Sequence, residues 1–414
     1  MKKNKSHVLV VGGGPSGLMA AISAAENGLD TAIIEKNDKL AQKLRISGKG
    51  RCNILNNCSV EEVVSEINSN RKFIKSALYK FSPSDAYNFF ENIGIKLKTE
   101  RGRRVFPQSD DADEVADKLI RYAKSLGVKI YRDKAQDILI EDGNVVGLKC
   151  EGSTFYCEKL VLCTGGLSYP GTGSTGDGHK MAAKAGHSIT EIRPSLVPLK
   201  TKDKACAELS GVTLKNVRLK AYENDKEIFD GFGEMLFAHF GLTGPLILSA
   251  SAHMEDFTNK KYHISIDLKP ALSEKKLDER ILRDFSEVLN KNFKNSLDKL
   301  LIKALIPVVI DRTGIDPEKK VNTISREERS RLVSALKNFD FDIAGPLGIS
   351  AAIVTKGGIS VDEVNPNTME SKLVKGLYFA GEILDLDAYT GGYNLQIAWS
   401  SGRLAGISLA KENK

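Results

Sequence analysis

Apolar and polar positions along the chain follow helix spacing and strand spacing in turn, an order typical of an α/β fold. Four consecutive apolar residues at 8–11 predict a buried parallel strand. Small and apolar residues at 18–25 predict the helix that follows, and residues 31–35 predict a second strand. Another strand and helix are predicted near the C-terminus, over 376–382 and 394–405.

The pattern changes after residue 192, where Pro194 and Pro198 interrupt it. Short alternating strands over 212–219, 226–230 and 262–267 predict a mostly antiparallel β domain. The next segment is helical and highly charged, and glycine-rich strands then return, so the β domain is interrupted and completed later. The predicted regions are an α/β domain over 1–192 and 361–414, an inserted β domain over 193–270 and 341–360, and a helical insertion, a candidate lid, over 271–340.

Three glycines follow the first predicted strand at the spacing G-x-G-x-x-G: Gly12, Gly14 and Gly17. Gly12 permits the tight turn, Gly14 lets a pyrophosphate approach the backbone, and Gly17 lets the next helix pack against the sheet. The second strand ends at Glu35, where a carboxylate can accept hydrogen bonds from ribose hydroxyls. Because strand, helix and acid are all present, the pattern favours a dinucleotide site over an ordinary glycine-rich turn. It leaves open whether FAD or NAD(P) binds.

A second G-x-G-x-x-G occurs at 171–176 in a weaker context. The preceding strand is followed by Thr164 and Gly165, small residues that leave room for a dinucleotide at the carboxyl ends of the strands. Residues 168–170 then separate the strand from the glycines, and no strand ending in an acid follows at the right distance. The segment therefore favours a tight polar loop over a separate NAD(P) site.

The loop at 43–53 is dense in glycine, cation and amide. Gly48 and Gly50 let the backbone approach a ligand, while Arg45 and Arg51 could face phosphate or a flavin carbonyl. The alternative is a solvated basic loop. Cys52 has no neighbour at disulfide-motif spacing, which disfavours a redox thiol. A basic run at 101–104 either borders a substrate entrance or forms a charged hairpin tip.

Length, charge and cysteine content limit the number of domains, the binding partners and the cellular compartment that we expect. A chain of 414 residues can form two or three domains. Its net charge of +7 is dispersed, without a basic block and interleaved aromatics, so nucleic-acid binding is not favoured. The six cysteines lack zinc-site spacing, so no metal site is predicted, and they fit a reducing cytoplasmic setting. The N-terminus runs straight into a strand and no apolar run is long enough for a membrane, so we expect neither a signal peptide nor membrane association.

Four longer motifs resemble the BaiN/YhiN-type bacterial flavoproteins, whose FAD-binding fold is of the glutathione reductase type. The motifs lie at 47–53, 163–178, 239–245 and 381–396, and the resemblance runs essentially the whole length. It implies a discontinuous Rossmann-like FAD-binding domain with an inserted antiparallel β-barrel-like domain that carries a helical insertion. One departure is Lys49, where glycine is common in the family.

The resemblance also implies an FAD-dependent oxidoreductase with NADH or NADPH as reductant. No second Rossmann domain is present in the pattern, so a nicotinamide would dock in a cleft. Family members are linked to reduction of carbon–carbon double bonds in steroid-like acids and to oxidation of small amino-ketones. We therefore expect hydride transfer through flavin N5 to a small organic substrate such as an enone or alkene. An oxidase that uses oxygen on a small amine or amino-ketone is one alternative, and a non-catalytic or RNA-modification-associated flavoprotein is another.

The motifs and the resemblance together nominate the cofactor contacts. Gly12, Gly14, Ser16 and Gly17 would take the pyrophosphate, and Glu35 would take the adenosine ribose. The ribityl–flavin side comprises Arg45, Ser47, Gly50, Arg51 and Asn53, while the ribityl chain and flavin O2 meet Gly381, Glu382, Gly391, Gly392, Asn394 and Leu395. Further cofactor contacts are Pro15, Lys36, Gly48, Ala135, Thr164, Gly165 and Asp385. The start of the last helix would aim partial positive charge at the flavin N1 and O2 region. Candidate proton donors are Tyr169, His239 and Tyr389, with a purely structural histidine as the alternative at 239.

Overall fold

The computed structural model describes residues 4–411, and the chain divides into two compact units. The first unit comprises residues up to Ser195 and from Gly348 onward, and the second comprises Leu196–Leu347. None of the helices within residues 4–411 combines the length and apolarity that a membrane crossing demands.

The bounds of the strands and helices follow in chain order. The strands are β1 (Asn4–Lys5), β2 (Val8–Val11), β3 (Thr31–Glu35), β4 (Leu55–Asn56), β5 (Leu97–Thr99), β6 (Arg104–Pro107), β7 (Lys129–Arg132), β8 (Ala135–Glu141), β9 (Asn144–Cys150), β10 (Thr154–Tyr156), β11 (Lys159–Leu162), β12 (Arg193–Ser195), β13 (Leu199–Thr201), β14 (Thr213–Glu223), β15 (Lys226–Ala238), β16 (Gly241–Thr243), β17 (Tyr262–Asp267), β18 (Phe339–Pro346), β19 (Val354–Lys356) and β20 (Leu377–Phe379). The helices are α1 (Pro15–Glu26), α2 (Gln42–Ile46), α3 (Val60–Ser65), α4 (Lys75–Lys80), α5 (Pro83–Asn92), α6 (Ala112–Ser125), α7 (Asp177–Lys184), α8 (Ala205–Glu208), α9 (Pro245–Ser251), α10 (Glu274–Ser286), α11 (Leu305–Thr313), α12 (Arg326–Lys337) and α13 (Tyr393–Lys411).

The first unit is built on a five-stranded parallel sheet with the order β20-β11-β2-β3-β7. Every residue of β2, β3, β11 and β20 is buried, as expected for strands covered on both faces. Helices α1 and α13 pack closely, because Gly402 in α13 lets the backbone of Ser16 approach: a Cβ at Gly402 would lie 2.4 Å from the Ser16 carbonyl oxygen. Both ends of the sequence therefore contribute to one sheet and its covering helices.

Smaller sheets complete the first unit. They have the orders β1-β10-β9-β8, β4-β6-β5 and β12-β19. The β12–β19 pairing corrects the predicted boundaries, since residues 193–195 and 348–360 were expected in the β domain. Arg193 pairs with Lys356 and Ser195 pairs with Val354, and these backbone hydrogen bonds hold both segments within the first unit.

The second unit is a closed antiparallel barrel with the order β13-β16-β15-β14-β17-β18. Alternate residues of β17 point into its core, where Tyr262, Ile264 and Ile266 are buried. Apolar residues of α10 and α12, among them Leu277 and Leu336, belong to the same core. The predicted fold class, an α/β domain interrupted by an antiparallel barrel, is confirmed. The predicted helical insertion forms one compact unit with the barrel, and its role as a lid stays a prediction.

Candidate functional site

The turn from β2 into α1 has the backbone geometry of a phosphate site. Gly12 has a φ of 100°, and a Cβ at Gly17 would lie only 1.9 Å from the Gly12 carbonyl oxygen. Space around Gly14 is open, with no heavy atom within 4 Å of a Cβ built there. Gly14 is also the N-cap and Pro15 follows at N1, so no capping side chain accepts the N–H groups of the first turn. These groups remain available for a pyrophosphate.

The Glu35 carboxylate is fixed by backbone donors. Its Oε2 accepts a hydrogen bond from the Gly13 N–H at 2.8 Å, and its Oε1 accepts one from the Asn37 N–H at 2.8 Å. Glu35 is buried at the carboxyl end of β3. A carboxylate has about four acceptor positions, so capacity remains for two ribose hydroxyls.

The N-terminal and C-terminal motifs meet at the ends of the parallel strands. A Cβ at Gly381 would lie 2.4 Å from Ser16 Oγ, and the Gly381 N–H donates to Ser401 Oγ at 3.0 Å. A Cβ at Gly12 would lie 3.2 Å from the Thr164 Cα. The structure therefore gathers Gly12, Ser16, Thr164 and Gly381, which sequence reasoning nominated separately, at one edge of the sheet.

Seven buried side-chain polar atoms lack a hydrogen-bond partner within residues 4–411, and Thr164 Oγ1 and Asn53 Oδ1 are two of them. Thr164 Oγ1 faces α7, where a Cβ at Gly178 would lie 1.9 Å from it. An unsatisfied buried polar atom costs about 1–3 kcal/mol, so such atoms call for a ligand or water. Gly50 adds open space, because a Cβ there would meet no heavy atom within 4 Å. The open backbone at Gly14 and Gly50 and the remaining acceptor positions of the Glu35 carboxylate thus fit a dinucleotide.

A polar cluster formed by Lys43, Ser168, Thr355 and Glu382 lies directly beyond Gly381. Lys43 Nζ lies 2.6 Å from Glu382 Oε2 and donates to Ser168 Oγ at 2.6 Å. Glu382 Oε1 accepts the Ser168 hydroxyl at 2.9 Å and the Thr355 N–H at 2.8 Å. We name this group the Lys43 cluster. Sequence reasoning missed Lys43, Ser168 and Thr355, since nothing local marks a lysine whose counter-ion is 339 residues away.

Tyr169 is held against the Lys43 cluster in a strained conformation. Its φ of 54° and ψ of 58° lie in the left-handed region, directly before Pro170. Bulky residues rarely adopt this conformation, and such strain concentrates at functional sites. Lys43 Nζ lies 5.9 Å from the centre of the Tyr169 ring. Burial raises the pKa of Tyr169 above its ordinary value of 10.0, so the phenol is protonated at neutral pH.

The other two candidate proton donors are Tyr389 in the first unit and His239 in the second. Tyr389 is half-buried, its N–H donates to the Glu66 carbonyl at 3.0 Å, and burial raises the pKa of its phenol. His239 belongs to the second unit, in the exposed turn between β15 and β16, where its ring makes a T-shaped contact with Phe240.

The two arginines of the predicted cofactor loop are engaged by carboxylates. Arg45 pairs with Asp113 and Asp117 of α6, and its Nε donates to the Leu40 carbonyl. Arg51 pairs with Glu100 and Asp110 in the same way. In this structure each guanidinium group is bound to two acids of the protein, and a contact of either group with phosphate or a flavin carbonyl stays a prediction.

Cys52 is buried and has a left-handed backbone conformation, with a φ of 58°. Burial raises the pKa of its thiol to about 12, so the thiol is protonated at neutral pH and is not a reactive thiolate.

Asn394 and Lys36 position loops. The Asn394 amide donates to the carbonyls of Ala388 and Tyr389 and accepts the Ala388 N–H, so its side chain clamps that loop rather than pointing at a ligand. Lys36 Nζ lies 2.5 Å from Thr175 Oγ1 and 2.7 Å from Asp177 Oδ2. Lys36 thus holds the second glycine motif against the end of β3, which favours the polar-loop interpretation.

The remaining predicted cofactor contacts make hydrogen bonds to the protein, take positive-φ backbone conformations or pack against the core. Ser47 Oγ donates to the Leu44 carbonyl, and Asp385 Oδ1 accepts the Gly357 N–H. Gly391 and Gly392 have positive φ just before α13. Ala135 begins β8, Gly165 follows β11 with a φ of 72°, Gly48 has a φ of 58° and Leu395 packs against the core.

His179 is a functional candidate that the sequence did not suggest. Its Nε2 lies 3.1 Å from the carbonyl oxygen of Ile383, which follows Glu382. Burial lowers the pKa of His179 below its ordinary value of 6.5, so the ring is neutral and its Nε2–H donates to that carbonyl. His179 therefore braces the segment that carries Glu382.

Comparison with known proteins agrees with this geometry. The family model described as HI0933-like protein Rossmann domain matches residues 6–408. A 3-dehydro-bile acid delta(4,6)-reductase from Clostridium scindens is 28% identical over 406 residues, covering 97% of this chain and 98% of that protein. A ribosomal RNA dihydrouridine synthase from Haemophilus influenzae is 30% identical over 418 residues, which cover 98% of this chain and 99% of that protein. The solved structure of a 3-ketosteroid-delta4-(5alpha)-dehydrogenase from Rhodococcus jostii RHA1 is similar in fold, with a TM-score of 0.54 and 16% sequence identity. The match covers 98% of this chain and 97% of that protein.

Proposed function

Because the chain belongs to the HI0933-like Rossmann-domain family of FAD-dependent oxidoreductases, we propose that it reduces a carbon–carbon double bond conjugated to a carbonyl group. The substrate in this proposal is a small organic enone. One observation carries it: Tyr169, a neutral phenol, lies beside the Lys43 cluster at the edge where the nucleotide motifs meet. The full-length similarity to a bile acid reductase supports the same reaction class.

FAD would be held by groups from both ends of the chain. The first-turn N–H groups of α1 take the pyrophosphate, and the Glu35 carboxylate takes the ribose. The N-terminus of α13 contributes partial positive charge toward the electron-rich side of the ring system.

The reaction needs a hydride and a proton on adjacent carbons. Reduced FAD, held by the first turn of α1 and by Glu35, would supply the hydride that the carbon β to the carbonyl accepts. Tyr169 Oη gives its proton to the α carbon, and the double bond becomes a single bond. Solvent then returns a proton to the phenolate oxygen of Tyr169, whose ring centre lies 5.9 Å from Lys43 Nζ. NADH or NADPH is the reductant in this proposal.

A second candidate substrate is a uridine in ribosomal RNA, as the name of the Haemophilus influenzae relative indicates for that protein. The C5–C6 double bond of uracil is also conjugated to a carbonyl, so the same residues would serve both substrates. An oxidase acting on a small amine or amino-ketone is the remaining alternative, and it needs no proton donor for an alkene.

The experiment that tests the proposal uses FAD-loaded protein without oxygen. NADH or NADPH is added first, and bleaching of the visible flavin absorption is followed. An unsaturated 3-oxo steroid acid, a uridine-containing RNA and a small amino-ketone are then compared as partners. Saturated product from the steroid acid supports the proposal. Failure to reduce any conjugated double bond, together with rapid reoxidation by oxygen during amine oxidation, overturns it.

A further inference from the structure

The basic hairpin tip at Arg101–Arg103 and Arg104 adjoins the glycine loop before α13. The amide of Asn56 donates to the Gly102 carbonyl at 3.0 Å and to the Gly391 carbonyl at 3.2 Å. Asn56 is also the register partner of Arg104 between β4 and β6. A single side chain therefore ties the tip of the hairpin to the loop that the proposed function assigns to the flavin side.

Two arginines at this tip have no carboxylate partner among residues 4–411. Arg103 pairs with Glu62. Arg101 and Arg104 are exposed. Arg104 Nε donates to the Arg101 carbonyl at 3.2 Å, and the Arg104 guanidinium lies 5.9 Å from the centre of the Phe106 ring. The tip thus presents two uncompensated positive charges to solvent.

The tip is rigid enough to be a binding element. The Glu100 N–H donates to the Arg104 carbonyl at 2.8 Å, and the Asn57 N–H donates to the Arg103 carbonyl at 2.8 Å. Gly102 has a φ of 76°, which a side chain at this position would strain. The backbone of the tip is thereby fixed, so binding of an anion would order only the two arginine side chains.

We infer that Arg101 and Arg104 form a subsite for an anionic group of the substrate, a carboxylate or a phosphate. The inference rests on the proposed function, because the tip adjoins the glycine loop before α13, whose N-terminus the proposed function assigns to the flavin. Guanidinium groups bind both anions through paired charge-assisted hydrogen bonds. The substrate class is therefore a conjugated carbonyl compound that carries a negative charge away from the reacting double bond.

The test compares a substrate pair that differs only in charge. An unsaturated 3-oxo steroid carboxylic acid and its methyl ester are reduced by the wild type and by the double variant Arg101→Ala, Arg104→Ala. We expect KM for the acid to rise about 10-fold to 100-fold in the variant, since two charge-assisted hydrogen bonds are lost, while KM for the ester is unchanged. The control is the double variant Arg121→Ala, Lys124→Ala, which removes two exposed positive charges from α6.

A binding measurement separates this inference from the proposed function. Calorimetric titration of the FAD-loaded proteins with the acid, and separately with a uridine-containing oligoribonucleotide, needs no turnover. Loss of acid binding in the tip variant identifies a carboxylate, and loss of RNA binding identifies a phosphate. Equal binding of both probes by the wild type and the tip variant overturns the subsite, whether or not the enone is reduced. Absence of enone reduction with intact, tip-dependent binding overturns the proposed function alone.

Discussion

Lys43 Nζ and Glu382 Oε2 lie 2.6 Å apart, although 339 residues separate them in sequence. Both side chains are mostly buried, with 26% and 21% of their surface exposed. At this burial the pair is screened less than a surface salt bridge, so removal of one partner leaves a charge that water only partly solvates. The pair joins α2 to the segment after β20 and thereby defines the candidate reaction site.

Replacement of Lys43 by methionine is expected to weaken FAD binding about 10-fold to 100-fold, because Glu382 loses a charge-assisted hydrogen bond worth roughly 1.5–3 kcal/mol. The affinity is measured by titration of the apoprotein with FAD. Lys39→Met is the matched control, since Lys39 is exposed in the loop before α2. An unchanged FAD affinity in Lys43→Met would show that the ion pair does not organise the site.

Replacement of Gly17 by alanine is expected to disturb the phosphate turn. The added Cβ would lie 1.9 Å from the Gly12 carbonyl oxygen, so the start of α1 must move away from the end of β2. Overpacking of this kind costs about 1–3 kcal/mol, and FAD affinity should fall at least 10-fold. Gly171→Ala is the control, because a Cβ there meets no heavy atom within 4 Å. Equal flavin content in both variants contradicts a pyrophosphate at this turn.

Replacement of Tyr169 by phenylalanine is expected to slow product formation about 10²-fold to 10⁴-fold while flavin bleaching by the reductant continues. A proton donor works only when protonated, and burial raises the pKa of Tyr169 above 10.0. The wild-type rate should therefore hold through neutral pH and fall only above pH 10, and the variant should lack that fall. Tyr79→Phe, at an exposed position, is the control. Wild-type rates in Tyr169→Phe assign the proton to another group.

Replacement of Asp387 by asparagine is expected to lower the free energy of unfolding by about 1–3 kcal/mol. The carboxylate is fully buried and accepts hydrogen bonds from Asn68 Nδ2, Ser69 Oγ and Ser195 Oγ. In asparagine an NH2 group replaces one carboxylate oxygen, so a hydrogen-bond donor would face the donor groups that the Asp387 carboxylate accepts from. Denaturant unfolding measures the change, and Asp362→Asn at an exposed position should be neutral. Equal unfolding midpoints for the two variants would mean that the three donors find water instead.

The nucleotide-binding end of the fold was predictable because its signals are local. Gly12, Gly14 and Gly17 lie within six residues of one another at the turn from β2 into the first turn of α1, and Glu35 ends the next strand of the same unit. The physical constraints on these residues act within a few bonds of each, so spacing alone reveals them.

Long-range pairing was not predictable. Arg45 is engaged by acids 68 and 72 residues away, and nothing in a basic loop indicates which carboxylates fold against it. The boundary error at 348–360 has the same origin, since β12 and β19 are three-residue strands whose pairing depends on the surrounding unit. The Lys43 cluster, too, exists only after both ends of the chain have met.

The most direct test of the central claim is a single turnover without oxygen. FAD-loaded protein is reduced with one equivalent of reductant and mixed with an unsaturated 3-oxo steroid acid, while flavin absorption and product mass are followed together. The account predicts that oxidised flavin returns as one equivalent of saturated product forms, with one solvent-derived deuterium at the α carbon in deuterated water. Reduced flavin that stays reduced in the presence of every conjugated carbonyl compound, yet reoxidises on admission of air, would contradict it.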